Sequence, residues 1–150
     1  MNALENDVII KRINGIQQEI VELKKLGAYS LEEFKTGPYQ SKLAQYHLHR
    51  ALEGVFNIST HILSRLPGGQ TTTYQEIARK MGELGIVERK FAEERLVLMA
   101  RYRNRLVHFY AEVTEEELYN IIHKNLDDFD IFLSAIKSVL QSPEKFGLSI

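Results

Sequence analysis

The sequence predicts an all-α protein, an antiparallel bundle of four main helices with short helices between them. Three observations predict it. Apolar residues recur at steps of three and four along most of the chain, Ser/Thr-x-x-Glu capping patterns open three segments, and no stretch alternates apolar and polar residues between hairpin signals. The 150 residues fit a single domain, 1–150, a length that hides about two-thirds of the unfolded surface.

The first helix is expected from about Asn6 to Leu26, where Ile9, Ile13, Ile16, Ile20 and Leu23 form one stripe and Gly27 is placed to stop it. Ser30 and Glu33 then form a capping box for a brief helical turn ending at Thr36-Gly37. Pro38 suits the first position of the longest helix, about Pro38 to Leu66, whose apolar face includes Leu48, Leu52, Val55, Phe56, Ile62 and Leu63 and which Pro67-Gly68-Gly69 ends. Thr73 with Glu76 opens a short helix fading at Gly82 and Gly85. A fourth main helix follows from about Glu88 to Tyr110. Thr114 with Glu117 starts the last one, which carries Leu118, Ile122, Phe129, Phe132, Ile136 and Leu140 at helical spacing as far as Pro143. The tail from Pro143 to Ile150 is expected to fray.

Composition narrows function by exclusion. The 19 Lys plus Arg against 20 Asp plus Glu leave a formal charge of -1, so any nucleic-acid site must be a local basic patch. Without cysteine there is no disulfide, thiolate metal site or thiol nucleophile. The beginning Met1-Asn2-Ala3-Leu4-Glu5-Asn6-Asp7 is acidic where a signal peptide is basic, and no uncharged apolar run approaches the ~20 residues that cross a bilayer. A cytoplasmic location is the expectation, with no membrane role.

One concentration of charge breaks this balance. No acidic residue occurs between Glu94 and Glu112, a window holding Arg95, Arg101, Arg103, Arg105 and His108. The plain structural reading is a solvated face, or arginines paired with acids of the last helix such as Asp127, Asp128 and Asp130. At about 100° per residue, Arg101, Arg105 and His108 share one helical face, whereas Arg103 and His108 stand about 140° apart. Two such groups address one atom only if the helix distorts or a second copy contributes, which favours a site at a dimer interface. Arginine forks suit phosphate oxygens and histidine exchanges protons near neutral pH, a combination that suits metal-free RNA cleavage. In that chemistry His108 transfers a proton to or from a ribose or leaving oxygen, Arg103 stabilises charge on phosphorus, and Asn104 orients His108 or the phosphate. Arg101 and Arg105 add phosphate contacts.

Other candidates carry less. His47 and His49 point apart on a helix and cannot pair on a metal, His61 reads as a core or interface histidine, and His123 with Asp127 reads as a surface pair. Asp127, Asp128 and Asp130 lack a distant acidic partner for two-metal chemistry, so neither metal nor cofactor is expected. The tyrosines, Tyr46 and Tyr74 among them, read as half-buried packing residues.

The pattern Arg-x4-His-x-Tyr, filled by Arg103, His108 and Tyr110 with Asn104 after the arginine, resembles the signature of HepT proteins in the HEPN superfamily. The likeness extends to Tyr46-His47-Leu48-His49-Arg50-Ala51-Leu52-Glu53, the Pro67-Gly68 break, Tyr74, Gly85-Ile86-Val87 and Leu126-Asp127-Asp128-Phe129, from about residue 8 to 140. The resemblance implies a symmetric homodimer with the two motifs facing across a cleft. It also implies a ribonuclease toxin acting on RNA, neutralised by a minimal nucleotidyltransferase antitoxin that transfers AMP to Tyr110. Two alternatives stay open: a non-enzymatic nucleotide-binding or partner-binding subunit of a nucleotidyltransferase complex, and a plain helical dimerisation module.

Overall fold

The computed structural model describes residues 2–108 and 113–150. Eight α-helices are described: α1 (Asn6–Gly27), α2 (Leu31–Thr36), α3 (Gln40–Leu63), α4 (Tyr74–Glu83), α5 (Arg89–Phe91), α6 (Val97–Val107), α7 (Glu115–Lys124) and α8 (Asp127–Gln141). The all-α bundle expected from the apolar periodicity is the observed architecture. No described helix is long and apolar enough to cross a membrane.

The two longest helices, α1 and α3, pack most extensively and set the frame, because the stripe Ile9, Ile13, Ile16, Ile20 and Leu23 buries against the apolar face of α3. Gly54 lets them come close: a Cβ there would sit 2.6 Å from Ile16 Cγ1. The fully buried Phe34, Phe56 and Phe132 fill the spaces between elements. Helices α4 and α6 pack on α3 and on each other, and α7 lies across α1 and α2. The approach of α7 depends on Gly27, whose Cβ would meet Ile122 Cγ2 at 2.8 Å.

Local signals explain most boundaries. Both sides of the capping boxes at Ser30/Glu33 and Thr114/Glu117 are present, whereas Glu76 leaves Thr73 half-capped and accepts instead from Thr72. Helix α4 ends in a Schellman motif in which Ile86 N–H donates to Met81 O at 2.9 Å and Gly85 N–H to Gly82 O at 3.1 Å. Gly85 supplies the required left-handed conformation, φ +76°.

The structure departs from the sequence expectation in four places. The long helix starts at Gln40 and ends at Leu63, inside the expected bounds. The segment expected as one helix from Glu88 to Tyr110 holds a π-turn, Ala92–Leu96, between α5 and α6, and its described helical part ends at Val107. The expected last helix is two, α7 and α8. They break where Asn125, a poor helix former, adopts φ -122° and ψ 1°, and α8 restarts with Asp127, Asp128 and Asp130 in its favourable first turn. The tail does not fray: Pro143–Phe146 forms a 3-10 turn, and β2 (Leu148–Ser149) pairs in parallel with β1 (Asn2–Ala3). Leu148 is fully buried, and that burial holds the ladder together.

Candidate active site

The basic cluster lies on α6 and at its end, where the structure gives its members different tasks. Arg95, in the π-turn, donates from Nε and Nη2 to Asp128 Oδ2 at 3.0 and 2.7 Å, tying this rod to α8. Arg105 closes its whole fork on Glu117, Nη1 to Oε2 at 2.7 Å and Nη2 to Oε1 at 2.9 Å. That bidentate pairing, reinforced by the Thr114 cap, holds the Glu117 carboxyl below its ordinary pKa and straps the start of α7 to α6. For Arg105 to grip phosphate, it must first leave Glu117. Arg101 is exposed and makes no ion pair among the described residues.

Arg103 differs from both. It turns inward toward α3 and α4, where its Nε donates a short charge-assisted bond to Glu53 Oε1. Its guanidinium carbon stands 3.9 Å from the centre of the Tyr74 ring. Tyr74 in turn meets buried Phe56 edge to face, with centroids 5.2 Å apart. The arginine is therefore gripped at its inner edge and stacked on an aromatic platform fixed in the core. Nη1 lies 3.4 Å from Asn104 Oδ1, a weak interaction, and Nη2 makes no hydrogen bond among the described residues.

His108 is the first residue past α6, exposed and extended at φ -104° and ψ 102°, with its backbone N–H donating to Asn104 O at 3.1 Å. Arg101 and Arg105 lie within α6, and His108 leaves the helical conformation only at its own φ and ψ. Tyr110 lies outside the described residues.

The remaining histidines have structural partners. His47 Nδ1 meets Glu19 Oε2 at 2.6 Å, and His49 Nε2 stands 3.7 Å from Glu53. His61 Nε2 accepts from Glu5 N–H at 3.1 Å, with its pKa lowered by burial and then by the Arg65 cation. His123 does not pair with Asp127; its ring nitrogens meet Tyr119 O and Gly27 O, both at 2.8 Å, because α7 crosses the end of α1 at Gly27. Among the described residues, no group of three or more His, Asp or Glu is arranged to hold a metal.

Sequence reasoning missed Glu53 and the stacking role of Tyr74. Glu53 is 50 positions from Arg103, beyond any spacing rule, and its only signal was its place at the end of the run Tyr46–Glu53.

The sequence and the fold both have known relatives. The chain matches a family model described as Ribonuclease HepT-like over residues 16–136. It is 26% identical over 145 residues to the tRNA nuclease HepT of Aphanizomenon flos-aquae (strain 2012/KM1/D3), covering 97% of this chain and 98% of that protein. Among solved structures it resembles the tri-AMPylated HEPN toxin of Shewanella oneidensis in complex with an MNT antitoxin, with a TM-score of 0.80 at 22% identity, covering 92% of this chain and 99% of that one. It also resembles YutE of Bacillus subtilis, a cytosolic protein of unknown function, with a TM-score of 0.78 at 18% identity and 95% of each chain covered.

Proposed function

The chain belongs to the HepT-like ribonuclease family, and on that premise we propose that it is a metal-independent ribonuclease toxin acting through Arg103 and His108. The observation that carries the proposal is the mounting of Arg103, gripped by Glu53 from within and stacked on Tyr74. A cation so fixed needs little reorganisation when charge grows on a phosphate oxygen. His108 takes the proton of a ribose 2′-hydroxyl, that oxygen bonds to phosphorus, and the bond to the 5′-oxygen breaks, with a proton delivered to the leaving oxygen. Asn104 orients Arg103, and Arg101 adds a phosphate contact, joined by Arg105 once RNA competes with Glu117.

Two chains face each other across a cleft in this reading, and a minimal nucleotidyltransferase antitoxin silences the toxin in the cytoplasm by AMP transfer to Tyr110. The tri-AMPylated Shewanella toxin supports the modification. Phosphate charge added to the motif would repel RNA from the basic patch.

Purified protein incubated with tRNA or total RNA in EDTA tests the nuclease. Cleavage by the wild type, lost in His108→Ala, is expected; equal inertness of both at high concentration sinks the proposal. For the modification, mass spectrometry of the neutralised complex is expected to find AMP on Tyr110, and an unmodified tyrosine there removes that part.

A further inference from the structure

A groove of about 790 Å³ runs along the outer face of the α1–α3 pair. Two glycines shape it in opposite ways. Gly54 lets α3 settle against Ile16 to form the floor, and Gly15 leaves the wall open, since a Cβ on it would meet nothing within 4 Å. The charged lining comes from Lys11, Arg12, Glu19, Arg50 and Glu53, with Tyr46, 54% exposed, beside them. Both carboxylates are already engaged, Glu19 by His47 and Arg50 and Glu53 by Arg103. Lys11 and Arg12 are exposed and make no ion pair among the described residues. The groove's balance toward a ligand is therefore cationic. The Arg50 guanidinium lies 5.5 Å from the centre of the Tyr46 ring, which places an aromatic face beside a cation. Glu53 belongs to both the groove wall and the Arg103 mount, so the groove leads to the proposed active site.

We propose that this groove is a track for single-stranded RNA. It would hold the nucleotides that flank the scissile phosphate, with Lys11 and Arg12 on the backbone, Arg50 joining them where RNA competes with Glu19, and Tyr46 stacking on a base. The volume lies within the usual range for sites that take a ligand of nucleotide size. Cationic walls with an exposed aromatic are how proteins hold single strands without reading sequence. The proposal rests on the nuclease reading for its biological use, but its binding claim stands apart.

The test uses the full chain carrying His108→Ala, so that RNA survives, and a fluorescein-labelled unstructured decaribonucleotide read by anisotropy. Relative to this parent, Lys11→Glu with Arg12→Glu is expected to weaken binding by about tenfold or more. It should also flatten the dependence of log K on log salt by about 0.7 for each phosphate that is no longer neutralised. Gly15→Leu, which adds bulk to the groove without changing charge on a helix that accepts leucine, is expected to weaken binding with the melting temperature preserved. Affinity within twofold of the parent in both variants overturns the proposal. So does unchanged RNA affinity with a shifted sedimentation coefficient, which would make the groove an interface between copies of the chain. Cleavage is not read in this assay, so failure of the nuclease reading shows only in the EDTA experiment.

Discussion

Replacing Glu53 by Gln tests the mounting of Arg103 directly. The substitution keeps the volume and an acceptor for the Arg103 Nε–H but removes the charge. Hydrogen bonds to charged groups contribute about 1.5–3 kcal/mol. The Arg103 and Glu53 side chains are 19% and 28% exposed, so water screens part of this and about 1–2 kcal/mol is the realistic loss. If that loss appears as disorder of the guanidinium in the transition state, kcat falls by about 5- to 30-fold, since each 1.36 kcal/mol is a factor of ten. The same loss lowers the melting temperature by about 2–4 °C per kcal/mol for a chain of this length. The assay is steady-state cleavage of a labelled RNA in EDTA, with thermal melts alongside. Adding Glu53→Gln to Arg103→Lys should change kcat little further, because lysine has no planar fork to orient. Unchanged or raised kcat in Glu53→Gln, despite the fall in melting temperature, would refute the reasoning: Glu53 would then be a structural partner that restrains Arg103.

Other outcomes follow from packing and titration. Gly54→Ala pushes a methyl into Ile16 and should destabilise by about 1–3 kcal/mol in a thermal melt, against the usual gain from alanine in a helix. Phe132→Ala empties a fully buried site and should cost about 3–5 kcal/mol by urea denaturation. Leu148→Ala should cost about 2–5 kcal/mol, whereas no effect would mean that the tail frays after all. His61 has a lowered pKa in the fold, from burial first and then Arg65, and its neutral ring accepts the Glu5 N–H. The stability it contributes is complete above its ordinary value near 6.5 and lost as pH falls through the lowered one. Melts from pH 7.5 to 5 should fall more steeply for the wild type than for His61→Gln, and parallel curves would show that this hydrogen bond does not matter.

What could be read in advance was what depends on near neighbours. The stripe of isoleucines in α1 and the boxes at Ser30 and Thr114 are effects of three- and four-residue spacing, and they appear where expected. The break at Asn125 was hidden because Leu118, Ile122, Phe129 and Phe132 keep apolar residues coming on both sides of it. The buried tail was hidden because the partner of Leu148–Ser149 is the opposite end of the chain. At the site, the sequence exposed the cationic cluster but not its sorting. Whether an arginine is committed or available depends on carboxylates brought by other helices: Asp128 for Arg95, Glu117 for Arg105, Glu53 for Arg103.

The π-turn at Ala92–Leu96 makes the aim of Arg103 a matter of counting. An α-helix advances about 100° per residue, and a π-turn accommodates one residue more than the α-helical path would use. Deleting one residue of Ala92–Leu96 would let the rod close into plain α-helix and would leave what lies beyond it facing nearly as before, because the wide turn is what absorbs the extra residue. Arg103 would then keep its aim at Glu53 and Tyr74, whereas a deletion between Val97 and Tyr102, inside plain α-helix with no wide turn to absorb it, would rotate the arginine by about 100°. The π-turn is therefore the one place along this rod that tolerates loss of a residue, and a one-residue gap there in a related sequence is compatible with an Arg-x4-His segment aimed as it is in this chain.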